Sequence, residues 1–179
     1  MSEEKDFVTL RIPSKIISIF SSYGIDIEEA LIEYLRRLTN DPDILADLHL
    51  SFADKFLNEG ENLIEKDAIQ ASEKLYKAAE EAIKALATKY AKDVLPDVEA
   101  RGRWTVTDLE KALKHIAKAT NKKELASWWD DVNYLHVWGF HEAKLDAESI
   151  KLRLANIRKL VEFAKKAAKS ENQKNSNEI

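Results

Sequence analysis

Apolar residues recur along most of this chain three and four positions apart, the period of a helix with one buried face; a single short stretch keeps a different period. Phe7 to Ile12 alternates, with Val8, Leu10 and Ile12 on one side and Phe7, Thr9 and Arg11 on the other, which predicts a half-buried strand ended by Pro13. Ser14 is expected to cap a short helix through Ile16, Ile17, Ile19 and Phe20 that stops at Gly24. Asp26, with Glu29 three residues on, forms a capping-box pattern for a second helix striped by Ile27, Ala30, Leu31, Tyr34, Leu35 and Leu38. Asn40-Asp41-Pro42 then breaks the chain. One strand cannot pair with itself, so this strand-helix-helix unit of residues 1–40 calls for a second copy.

Five helical stretches follow. The first runs from Asp43 to about Asn58, with Glu59-Gly60-Glu61 as its stop, and the longest from Lys66 to about Ala91, with Leu75, Tyr76, Ala79, Ile83 and Leu86 on one face. Lys92 to Val106, holding Pro96 and Gly102, reads as a loop. Thr107 is expected to cap a helix to about Ala119, Asn121 the next, and Asp146 the last, whose stripe runs Ile150, Leu154, Ile157, Val161, Ala164 and Ala168. Gly139 should end or kink the penultimate helix. Trp128 and Trp129 point about 100° apart, so at most one is expected to be buried in its own bundle. The whole predicts an all-α antiparallel bundle over residues 43–170 with a disordered polar tail at 171–179.

Composition sharpens this picture. Four glycines and three prolines in 179 residues are too few turn formers for a sandwich or barrel, and 45% apolar residues suffice for a core. No apolar run approaches the roughly 18 residues of a membrane span, so no membrane partner is expected. Met1 to Asp6 lacks the features of a signal peptide, which makes the cytoplasm the expected compartment. With no cysteine, thiolate metal sites, disulfides and cysteine nucleophiles are excluded. Net charge is -4, but it is uneven: Asp41 to Gln70 is strongly acidic, while Lys151 to Ser170 and Arg101 to Lys123 are basic. The acidic and basic helices either pack side by side or leave a functional basic groove.

The segment from Ala71 to Leu86, ASEKLYKAAEEAIKAL, resembles the signature helix of the HEPN superfamily, small bundles found in many prokaryotic RNases and toxins, and in particular the archaeal PaREP family. Leu135 to Glu142, LHVWGFHE, is similar to a second patch of that family. HEPN RNases place an arginine four to six residues before a histidine, and this chain does not: counting back from His136 reaches Trp129 and Asp130, and from His141 only Tyr134, Leu135 and His136. The resemblance therefore implies an interaction or nucleic-acid-associated module lacking the standard motif, with a metal-independent RNase as the alternative. Arg101 or Arg103 could supply the missing cation in space.

His136 and His141 are the candidate acid and base, because imidazole exchanges a proton near neutral pH. On an α-helix they lie about 140° apart, so sharing a face requires a break at Gly139. A pocket beside them, walled by Trp138 or Trp129, is the expected cleft. His49 and His115 sit alone on ordinary helices and read as structural or exposed. No zinc spacing is present, so neither metal nor cofactor is expected. The first 40 residues resemble the ribbon-helix-helix family, which implies a homodimer with Thr9 and Arg11 facing DNA bases. Asp26, Glu28 and Glu29 stand where that family clamps a phosphate, which favours dimerisation over DNA binding.

Overall fold

The computed structural model describes residues 9–25, 27–39 and 41–169, and the chain divides into two units, Met1–Asn40 and Asp41–Ile179. The tail at 171–179 lies outside the described residues.

The first unit departs from the expectation at its start. Thr9 to Ile12 forms no strand, and Phe7 and Val8 lie outside the described residues. Alternation shows only that a segment suits a two-faced surface; a ladder also needs a second strand, and one chain supplies none. Two helices follow, α1 (Ser14–Ser22) and α2 (Ile27–Leu38). Pro13, not Ser14, stands at the N-terminus of α1, with no side-chain cap, and Gly24 closes it at φ +67°, where an L side chain would be strained. Asp26 and the side chains of Glu28 and Glu29, the proposed capping box and clamp, lie outside the described residues. α1 contains no buried residue.

The second unit is a helical bundle: α3 (Pro42–Leu63), α4 (Ala68–Tyr90), α5 (Leu95–Arg101), α6 (Val106–Thr120), α7 (Leu125–Tyr134), a π-helical segment (Leu135–His141) and α8 (Ala147–Lys169). The Asp41 carboxylate accepts from the Asp43 N–H (2.9 Å) to start α3, with Pro42 in the first turn, where its missing N–H costs nothing. Gly60 does not stop this helix. A Cβ there would come within 2.8 Å of Leu75 Cγ, so the glycine lets α3 and α4 approach closely.

α4 is the hub. It packs against α3, α6, α7, the π-helical segment and α8, and Leu75, Ala78, Ala79, Ala82, Ile83, Ala85 and Leu86 bury it around most of its circumference. Small alanines make this possible because neighbouring axes can come near on every side. Inside this core His49 Nδ1 meets Glu81 (2.7 Å), and Lys84 bonds both Glu81 (2.8 Å) and Glu80 (2.7 Å). Burial pushes the Glu81 carboxyl up, but the Lys84 charge and the His49 bond outweigh it and bring it down to about 2.

Four local expectations change. The supposed loop at 92–106 contains α5, which begins with Pro96 in its first turn and ends at Gly102, φ +70°. α6 starts at Thr105, not Thr107, in a reciprocal capping box with Asp108. Asn121 ends α6 in the left-handed region (φ 52°) and does not start α7. Trp128 and Trp129 are both buried, at 8% and 1% exposure, because α7 lies between α8 and the hub: Trp128 meets Phe163 edge-on and Trp129 meets Tyr76. Asp146 caps α8 as its sequence indicates, accepting from the Ser149 N–H (2.9 Å).

The acidic and basic helices neutralise each other. Asp54 and Glu61 of α3, and Glu65 just beyond its end, pair with Lys165, Arg158 and Lys151 of α8, so the two helices run antiparallel with a ladder of ion pairs between them. Lys151, Arg158 and Lys165 of α8 are thus paired side by side with acidic residues of α3 and its C-terminal turn.

Candidate functional site

The two candidate histidines meet. His136 Nε2 and His141 Nε2 lie 3.0 Å apart, with the rings nearly perpendicular (81°). The backbone explains how residues five apart share a face. From Leu135 the helix widens to a π turn, with the Glu142 N–H bonded to the Val137 carbonyl (2.9 Å), and a helix bonded five residues back stacks positions i and i+5. Gly139 thus does not break the helix. It lies against α4, where a Cβ would come within 2.1 Å of Ser72 Oγ and 2.6 Å of Ser72 Cβ.

α4 supplies the rest. The Glu73 carboxylate accepts from His136 Nδ1 (3.2 Å), and Tyr76 stacks on the His136 ring with centroids 4.0 Å apart. Tyr76 also touches Trp129, whose indole N–H donates to Glu110 (2.7 Å), so the stack is anchored through α7 to α6. His136 is half-buried and His141 exposed. A hydrogen bond between two imidazole nitrogens needs one proton between them. Glu73 holds the Nδ1–H form of His136, which leaves His136 Nε2 free to accept from His141 or, once protonated, to donate to it. The cluster is therefore a chain of hydrogen bonds: carboxylate, half-buried imidazole, exposed imidazole.

Glu73 and Tyr76 were not singled out as site residues by the sequence. Both fall in the signature helix, three apart and so on one face, but nothing local ties them to a patch 63 residues further on.

The arginines do not join the site. Arg101 pairs with Asp108, which also accepts from the Thr105 N–H (2.9 Å) and hydroxyl (2.6 Å). Burial raises the Asp108 carboxyl, but these bonds and the guanidinium hold it below its ordinary value. Arg103, Thr9 and Arg11 are exposed, the last two in the first unit. His49 is bonded in the core, and His115 pairs at the surface with Asp93 (3.2 Å). Among the described residues no group of three or more His, Asp or Glu is placed to hold a metal ion. A cavity of about 140 Å³ lies among Pro42, Ala46, Leu86, Thr88, Tyr90 and Ala168, away from the histidines. The π-helical segment leaves Val137 and Trp138 exposed; Trp138 is close to Tyr134, over whose ring lies the Arg153 guanidinium (3.9 Å). No described helix is long and apolar enough to cross a membrane.

A crystal structure of a protein from Sulfolobus solfataricus is 40% identical, with a TM-score of 0.58, and the match covers 63% of this chain and 92% of that one. A solution structure of the same structural-genomics target gives 39% identity and a TM-score of 0.56, over 65% of this chain and 90% of that one. No curated protein matches significantly. The profile of the archaeal PaREP1/PaREP8 family matches residues 48–161, which span α4, the π-helical segment and both histidines, and the chain belongs to that family.

Proposed function

We propose that this chain is a HEPN-class, nucleic-acid-associated module that lacks the standard arginine–histidine motif and works through the Glu73–His136–His141 relay. The contact that carries this reading is the 3.0 Å approach of the two Nε2 atoms, with His136 held from behind by Glu73. A structural histidine is satisfied by one carbonyl; here the second imidazole is at the surface, and the first is fixed by a carboxylate as in general-base sites.

The reaction that fits is RNA cleavage without a metal. His141 takes the proton of a ribose 2′-hydroxyl as the 2′-oxygen bonds to phosphorus, the relay holds that proton, and it returns to the 5′-oxygen as the P–O5′ bond breaks. Glu73 stabilises the transient imidazolium through His136. No arginine of the Arg101–Arg103 segment is bonded at the pair, so phosphorane stabilisation by a guanidinium is not part of this proposal. The test is cleavage of a fluorogenic RNA oligonucleotide in EDTA. Cleavage that persists in EDTA and falls about 10²- to 10⁴-fold in His141→Ala supports the reading; a chain that binds RNA and leaves it intact overturns the catalytic role.

A second reading concerns assembly and rests on the first unit. Ile16, Ile17, Ile19, Tyr23, Leu31, Tyr34, Leu35 and Leu38 are all exposed there, more apolar surface than two helices of 9 and 12 residues leave in water. A homodimer formed through this unit covers it. Sedimentation of the full chain as a dimer, and of residues 41–179 as a monomer, is the expected result; a dimer that survives the deletion contradicts it.

A further inference from the structure

The outer face of α6 is a stripe of like charge. Lys111, Lys114, His115 and Lys118 are exposed at spacings of three and four, and among the described residues none of the three lysines has an acidic partner within ion-pair distance. On α8, by contrast, Lys151 and Lys165 pair with Glu65 and Asp54. The acidic residues of α6 are turned to other tasks: Asp108 caps the helix and takes Arg101, and Glu110 takes the Trp129 indole. Asp93 pairs with His115 and not with a lysine.

Helix physics does not favour this arrangement. Like charges three and four apart destabilise a helix, and only Lys118, in the last turn, gains from the helix dipole. A chain that is acidic overall nonetheless concentrates positive charge here. We infer that the Lys111–Lys114–Lys118 face of α6 binds the phosphodiester backbone of a nucleic acid. The choice of nucleic acid rests on the functional reading above and on the chemistry of the stripe. Protein interfaces are depleted in lysine and need buried apolar anchors, and the middle of this face offers none, whereas phosphate binding is dominated by ammonium charge and needs no anchor. The three ammonium groups span about 10 Å of helix axis, so they reach successive phosphates of one strand and not a single anion.

The test uses the full chain and a fluorescently labelled 20-nucleotide oligouridylate, with binding followed by anisotropy against salt. Three phosphate contacts on a single strand contribute a log–log slope of about 2, so the stripe alone weakens binding roughly twentyfold between 50 and 200 mM salt. The triple variant Lys111→Gln, Lys114→Gln, Lys118→Gln should lose that part of the slope while its circular dichroism stays that of the parent, and Lys→Arg changes at the same positions should retain it. An unchanged affinity and slope in the glutamine variant overturns the inference, as does binding of poly-glutamate in preference to the oligouridylate. The two readouts, binding and cleavage, separate the two proposals. Stripe-dependent binding without cleavage sinks the relay reading alone, and cleavage with stripe-independent binding sinks this inference alone.

Discussion

Replacing Gly139 with alanine tests how the π turn is held. The added Cβ meets Ser72 Oγ at 2.1 Å and Ser72 Cβ at 2.6 Å, with Leu145 Cδ1 at 3.3 Å. Rotating Ser72 removes the first clash, at the expense of its bond to the Ala68 carbonyl (2.8 Å), but not the second, since Cβ is fixed to the α4 backbone. The π-helical segment must therefore shift away from α4, and overpacking of this kind costs about 1–3 kcal/mol, with the upper half expected here. In a bundle of this size the melting temperature falls by roughly 5–15 °C. Ser72→Gly alone costs about 0.5 kcal/mol of helix propensity and removes both clashing atoms. In the double variant the Gly139→Ala penalty should shrink by at least about 1 kcal/mol, a coupling read from urea titrations of the four proteins. Gly139→Ala within about 0.5 kcal/mol of the parent, or additive penalties, would refute the claim that this close approach fixes the turn.

Acid should weaken the core through Glu81. Its folded carboxyl lies at about 2, below the ordinary 4.5, so the stability it contributes is complete above about pH 4.5 and is lost as pH falls from there toward 2; Glu81→Gln should flatten that part of the stability curve measured by thermal melts. Asp108→Ala removes the acceptor of Thr105 and Arg101 and should cost about 1–2 kcal/mol by urea titration, with hydrogen exchange rising first at the start of α6. Trp129→Ala should cost about 3–5 kcal/mol by urea titration, while Trp129→Phe, which loses the bond to Glu110 and part of the ring but keeps most of its packing, should cost less; equal penalties would show that the retained packing contributes nothing.

Helix identity was legible wherever period and caps agreed, as at α8 with Asp146 and its stripe from Ile150 to Ala164. Boundaries failed where one residue type serves opposite purposes. Gly60 and Gly139 read as stops, yet both are close-approach positions inside helices, and the atoms they accommodate, Leu75 and Ser72, come from another helix. Asn121 read as a start and is a left-handed stop. The alternation at Thr9 to Ile12 was visible, but pairing is not a property of one segment. The histidines were found by chemistry and misjudged by geometry, because a 3.6-residue period was assumed where the chain winds wider. Glu73 was hidden by distance in sequence: only packing of the π-helical segment on α4 brings it to His136.

A single proton relay through Glu73, His136 and His141 is open to direct test. Imidazole ¹⁵N NMR of uniformly labelled protein tests it most directly, through scalar coupling between the two Nε2 nuclei across their hydrogen bond and through the tautomer of His136. A shared relay gives a measurable Nε2–Nε2 coupling and a His136 protonated at Nδ1; the Nδ1 tautomer is lost in Glu73→Ala and the coupling in Gly139→Ala. Two uncoupled rings, or a neutral His136 carrying its proton on Nε2 with and without Glu73, would contradict it.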